Sequence, residues 1–126
     1  MKASSKKKLA QYERLAGMLR DRIAAGVYAR EDKLPSEMEL MDESGLSRST
    51  VRHALKVLID EGLVRTERTA GRYVTEDRAL IEQLRAEAAR NLTAEFLEKM
   101  RGIGYGPEQA AALLERWNEK EGTNHD

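Results

Sequence analysis

The amino-acid sequence predicts a mainly α (α+β) fold: a winged helix-turn-helix with a small two-stranded wing, followed by a two-helix C-terminal extension expected to dimerise. Three observations predict it. Two short helical patterns are joined across a single glycine, Gly45, the arrangement of a helix-turn-helix. Two short β-prone segments with turn residues between them come directly afterwards. Beyond these, apolar residues recur at steps of three and four through residues 78–120, interrupted once by a cluster of glycines.

Residues 1–8 (MKASSKKK) are polar and unpatterned and are expected to form a disordered basic arm. Leu9, Tyr12, Leu15, Ala16, Leu19 and Ile23 then describe one face of a first helix, which Gly26 can end. Residues 27–34 connect, with Lys33 and Leu34 suited to a small strand before Pro35. Ser36 and Glu39 have the spacing of a capping box, in which the serine hydroxyl accepts from one amide and the glutamate returns to the other. The second helix that starts there runs to about Ser44, because Gly45 suits the left-handed turn that ends it. Ser47 caps a third helix whose stripe is Val51, Ala54, Leu55, Leu58 and Ile59, and Gly62 stops it. Segments 63–68 and 72–75 read as a hairpin, the wing, with Thr69, Ala70 and Gly71 between them. The winged domain is thus expected to span residues 9–76.

The extension is expected over residues 77–120, with a frayed tail at 121–126. Ile81, Leu84, Ala88, Leu92, Phe96 and Met100 mark a fourth helix, broken by Gly102, Gly104 and Gly106. Pro107 suits the first turn of a fifth, which carries Ala110, Leu113, Leu114 and Trp117 on one face. Two such helices are too short for a core of their own. Ile81, Leu84, Ala88, Leu92, Phe96, Met100, Leu113, Leu114 and Trp117 are therefore expected to bury one another across a homodimer axis, the alternative being that they fold back on the first helix of their own chain.

Composition narrows the function. With 126 residues there is little room for a large catalytic or sensing domain, and with no cysteine there are no disulfides, thiolate metal sites or thiol nucleophiles. No apolar run approaches the roughly 18 residues of a membrane span, so a soluble cytoplasmic protein with no membrane partner is expected. Net charge is zero, but residues 1–75 hold 15 Lys and Arg against 11 Asp and Glu, while residues 76–126 hold 7 against 11. A basic first half and an acidic second half are compatible with phosphate meeting only the first.

The third helix carries the chemistry. Arg48, Arg52 and Lys56 fall four residues apart on one exposed line, with Ser49 and His53 beside it. Charge at this spacing often only solvates an amphipathic helix. Its company of a capped short helix, a glycine turn and a hairpin instead points to double-stranded DNA, with Arg48, Ser49 and Arg52 near the end that a helix-turn-helix directs at base edges. Ser47 and Thr50 suit phosphate contacts at the positive end of the helix dipole.

Tyr12 with LRDRIAAG (19–26), KLPSE (33–37), GLSRSTVRHAL (45–55), EGLV (61–64) and GRYV (71–74) stand in an order and spacing that resemble the GntR family of bacterial transcription regulators. The short two-helix extension, in place of a large effector domain, is similar to the YtrA subfamily, in which it mediates dimerisation. The resemblance implies operator contacts at Ser47, Arg48, Ser49, Thr50 and Arg52, and a wing glycine, Gly71, in the minor groove. With Ser36, His53, Lys56, Arg68 and Arg72 these make up the expected DNA-binding set. Two positions depart from the family pattern: Met38 stands where an arginine is common, and Thr69 where the wing has a further glycine. Arg68 or Arg72 would compensate through phosphates.

The function expected is a homodimeric, sequence-specific repressor on an inverted-repeat operator; the alternative is a protein-binding module whose terminal helices grip a different partner. No catalytic residue, metal site or cofactor is expected, since His53 and His125 are the only histidines, far apart in sequence, and no acidic cluster has ligand spacing. GIGYG (102–106) follows a helix pattern rather than a strand and lacks a P-loop lysine, so it reads as an interhelix turn. The Asn91-Leu92-Thr93 sequon has no consequence in a cytosolic helix. A small apolar effector near Phe96, Tyr105 or Trp117 is weighed against core packing, the more usual role of such aromatics.

Overall fold

A computed structural model describes the backbone of residues 2–68 and 71–124 and the side chains of residues 10–68 and 71–121. Seven elements occur in the order α1 (Lys2–Ala25), α2 (Glu37–Ser44), α3 (Arg48–Asp60), β1 (Val64–Glu67), β2 (Gly71–Val74), α4 (Arg78–Gly102) and α5 (Pro107–Asn124). They divide into two units, Met1–Ala86 and Glu87–Asp126. The architecture is the winged helix-turn-helix with a two-helix extension that the sequence predicts.

In the first unit, Leu15, Ala16, Leu19 and Ile23 of α1 meet Leu40 of α2 and Val51, Ala54, Leu55 and Leu58 of α3 in one core. Leu19, Leu40, Val51, Leu55 and Leu58 are completely buried, so the helical stripes read from spacing are the packing faces. Leu34, Leu63, Val64 and Val74 close that core from the wing side. The strands pair antiparallel with Val64 opposite Val74 and Glu67 opposite Gly71. Residues 32–34 join them: Lys33 bridges to Tyr73, the Leu34 amide donates to the Arg72 carbonyl over 2.8 Å, and the Val74 amide donates to that of Asp32 over 2.8 Å. The segment before α2 is thereby stitched to the wing.

Local capping fixes α2 and α3 in succession. Ser36 Oγ accepts from the Glu39 amide at 3.1 Å, and Glu39 Oε1 accepts from the Ser36 amide at 3.1 Å, so the capping box is formed from both sides. Gly45 ends α2 at φ 72°, a backbone conformation that side chains with a Cβ rarely adopt. Two residues later, Ser47 caps α3.

Three boundaries differ from the sequence expectation. The helix α1 begins at Lys2, so residues 2–8 continue the helix where an irregular arm is expected; they contain no glycine or proline, and lysine and alanine propagate a helix well once α1 is anchored downstream. The helix α5 runs on to Asn124, through Gly122 and beyond the expected end at Lys120. The strand β2 takes in Gly71, while Thr69, Ala70 and His125 lie outside the described residues.

The start of α4 belongs to the first unit: Ile81 is 7% exposed within its core and Leu84 packs against it. Of these two residues, expected at a dimer face, Ile81 is thus covered by its own chain and Leu84 partly so, because periodicity marks an apolar face without saying what covers it. Arg85 Nε also donates to the Ala24 carbonyl at 2.9 Å, tying the start of α4 to the end of α1. In the second unit, the chain turns after Gly102 with Gly104 at φ 89°, and Ala110 of α5 is fully buried.

Leu55 lies at the centre of the first unit, without solvent exposure. Leu55→Ala is expected to cost about 2–5 kcal/mol, a large share of the roughly 5–15 kcal/mol of a small domain; chemical denaturation followed by far-ultraviolet circular dichroism checks it, while Leu92→Ala, at a residue 66% exposed, is expected to leave the unfolding of this unit unchanged.

Candidate nucleic-acid interface

The exposed end of α3 begins with its cap. Ser47 Oγ accepts from the Thr50 amide at 3.3 Å and lies 2.9 Å from Thr50 Oγ1 and 3.2 Å from Ser49 Oγ. Thr50 is only 6% exposed, so its side chain serves the cap from inside, whereas Ser47, Arg48 and Ser49 remain open to solvent. Ser36, expected in the DNA-binding set, spends its hydroxyl on the capping box of α2.

Glu37 organises the arginines around it. Arg52 Nε lies 3.0 Å from both carboxylate oxygens, and Arg72 Nη2 donates to Oε2 at 2.9 Å. Arg48 Nε is 3.9 Å from Oε1, and its Nη2 is 3.4 Å from the sulfur of Met38. Burial pushes the Glu37 carboxyl up, but the hydrogen bonds from Arg72 and Arg52 outweigh it and hold the group below its ordinary value. One carboxylate, 18% exposed, thus gathers three guanidiniums that are 52%, 60% and 25% exposed at Arg48, Arg52 and Arg72. Two come from α3 and one from the wing, and Nε of Arg72 is buried without a hydrogen-bond partner among the described residues.

Other expected site residues surround this cluster. His53 is exposed, its ring stacked on Tyr12 with centroids 3.7 Å apart and planes at 14°, so the imidazole is braced from α1. Lys56 is drawn toward the end of α3 by Asp60, 3.2 Å away. Arg68 is exposed at the end of the described part of the wing. Gly71 has φ 92°, and a Cβ there would sit 3.3 Å from Cε of Lys33, a flexible side chain that can move aside, so it is the backbone conformation that favours glycine.

Sequence reasoning missed Glu37, Tyr12 as the support of His53, and Arg65, which pairs with Glu67 and lies 5.1 Å above the ring of Tyr73. The order PSEME did place an acidic residue one position after the capping serine, but its partner on the wing is 35 residues away and leaves no periodic signal. Of the residues expected at a dimer face, Leu92, Phe96, Leu113, Leu114 and Trp117 are exposed in the second unit, while Ala88 and Met100 are half-buried there.

Residues 11–74 match the bacterial regulatory proteins of the gntR family. The chain belongs to the GntR family. GntR proteins are transcription regulators rather than enzymes, and the matched segment contains α2, α3 and nearly all of the wing. Over 107 residues the chain is 36% identical to the Exu regulon transcriptional regulator of Escherichia coli (strain K12), an alignment that covers 82% of this chain and 37% of that protein. The chain therefore spans little more than a third of the length of this curated relative. Among solved structures it is similar to a GntR family transcriptional regulator from Listeria monocytogenes, with a TM-score of 0.72 and 30% identity over 83% of this chain and 92% of that one. It is also similar to the AraR DNA-binding domain in complex with operator ORR3, with a TM-score of 0.50 and 31% identity over 52% of this chain and 78% of that one. No helix among the described residues is long and apolar enough to cross a membrane.

The acid side of the stability profile follows from the carboxylates of α2. Hydrogen bonds with Ser36 lower the Glu39 carboxyl, and the hydrogen bond from Arg22 lowers that of Glu43, as the arginines do that of Glu37. Each folded value lies below the ordinary 4.5, so the stabilisation is present above that pH and is lost as pH falls through the folded values. Urea midpoints are expected to stay level down to about pH 5 and then drop. Glu43→Gln is expected to lower the midpoint at pH 7 and to make the acid drop shallower.

Proposed function

We propose that this GntR protein is a homodimeric, sequence-specific repressor that binds double-stranded DNA at an inverted repeat and occludes a promoter. The observation that carries the reading is the group of Arg48, Arg52 and Arg72 around Glu37 at the exposed N-terminal end of α3. A guanidinium can give two hydrogen bonds to guanine O6 and N7, and a helix-turn-helix presents this end of its second helix to base edges. In this reading Arg48, Ser49 and Arg52 read bases, Ser47 anchors a phosphate, and Gly71 lets the wing approach the minor groove. Arg68, His53 and Lys56 add phosphate contacts at the margins. The likeness to an operator-bound DNA-binding domain supports the same placement.

The homodimer is supported by the second unit, where Leu92 is 66% exposed, Leu114 54% and Trp117 65%. Apolar groups of this size left in water favour association, and a two-fold pair would set two α3 helices on half-sites about one helical turn apart. In this reading the two helices after the wing serve as a dimerisation extension, as in the YtrA-like members of the family. Cytoplasmic location accords with a DNA target, and repression needs only occupancy of the promoter.

Selection of genomic fragments by the purified protein, followed by gel shift across a salt series, tests the proposal. An inverted repeat is expected, with binding that weakens as salt rises and with Arg52→Ala costing roughly 1–3 kcal/mol on the selected site. Equal affinity for all sequences would contradict it. The dimer is checked separately by sedimentation of the full chain: Leu92→Glu with Trp117→Glu is expected to give a monomer that still folds, and an unchanged dimer would rule out this face.

A further inference from the structure

Met38 is an exposed apolar residue set among charges. It lies one position into α2 between Glu37 and Glu39, and it is 57% exposed. A single exposed methionine decides nothing by itself; what singles this one out is its place. Its sulfur is 3.4 Å from Nη2 of Arg48, whose Nε is 3.9 Å from the same Glu37 that holds Arg52 and Arg72. The thioether therefore lies at the rim of the arginine cluster, on the accessible face rather than against the core.

The chemistry of a major groove offers such a side chain one matching feature. Base edges there are hydrogen-bond donors and acceptors except for the 5-methyl group of thymine, which takes apolar contacts. Methionine is unbranched and polarizable, so its terminal methyl can reach forward while its sulfur stays near Arg48. We propose that Met38 is a specificity-determining residue that packs on the 5-methyl group of a thymine beside the base contacted by Arg48. This rests on the reading of α3 as the base-reading helix. It adds a thymine preference contributed by α2, from a side chain that can make no bidentate hydrogen bond.

The test uses the full chain and its selected site, with each thymine replaced in turn by deoxyuridine, which pairs identically but lacks the methyl group. For the native protein, one thymine per half-site is expected to show a loss of about fourfold in affinity, the worth of burying one methyl-sized group. Met38→Ala is expected to bind the thymine and deoxyuridine duplexes equally, and Met38→Leu, apolar but without sulfur, to retain the discrimination. The proposal is overturned if no thymine is sensitive in the native protein, if the sensitivity survives Met38→Ala, or if Met38→Leu abolishes it, since the last would assign Met38 to holding Arg48 through sulfur. Arg52→Ala on the same duplexes separates the two readings. Sequence-selective binding that depends on Arg52 but ignores the methyl group removes the Met38 proposal alone, whereas absence of selective binding removes both.

Discussion

The arrangement of arginines at the exposed end of α3 depends on one carboxylate. Arg48, Arg52 and Arg72 are three like charges from two elements, and they would repel one another if nothing negative stood between them. Glu37 is that counter-charge. It is itself largely withdrawn from water, a position that burial alone would penalise and that the arginines make favourable. The wing and the third helix are thus held in relation by a polar contact at the surface as well as by Val64, Val74 and Leu58 beneath it. Because the pairs are partly exposed, they orient side chains more than they stabilise the fold.

Everything behind that contact serves to keep Glu37 in place. It sits in the first turn of a helix only eight residues long, too short to persist without tertiary support. The reciprocal bonds of Ser36 and Glu39 fix its start and the left-handed Gly45 its end, while fully buried Leu40 pins it to the core. Upstream, the backbone bonds of Asp32 and Leu34 to the wing set the distance between Glu37 and Arg72. Loss of the capping bonds or of the backbone bonds to the wing is expected to act on the geometry of the arginines, whereas loss of Leu40 would act on the core as well.

Sequence reading captures the parts of this arrangement that are local. The Ser36–Glu39 box, the Gly45 turn and the stripe of Val51, Leu55 and Leu58 depend on neighbours within a turn or two, and all are legible from spacing. What was not legible depends on contacts distant in sequence. Ile81 has the spacing of an interface, yet its own core takes it; Glu37 looks like one more acidic residue at a helix start, a place where the dipole favours one anyway. Residues 2–8 lack an apolar pattern, but helix continues through them because nothing in their composition stops it.

Whether Glu37 positions the arginines proposed to read DNA is decided by the specificity of Glu37→Gln. Simple electrostatics says that removing a negative charge from a DNA-facing surface strengthens binding to every sequence alike. Positioning says otherwise. Affinities of the native and Glu37→Gln proteins should be measured at fixed salt on the selected site and on a scrambled duplex. The ratio of the two is expected to fall by on the order of tenfold, the loss of one well-oriented arginine contact, while affinity for the scrambled duplex holds or rises. An unchanged ratio, with both affinities moving together, would contradict it.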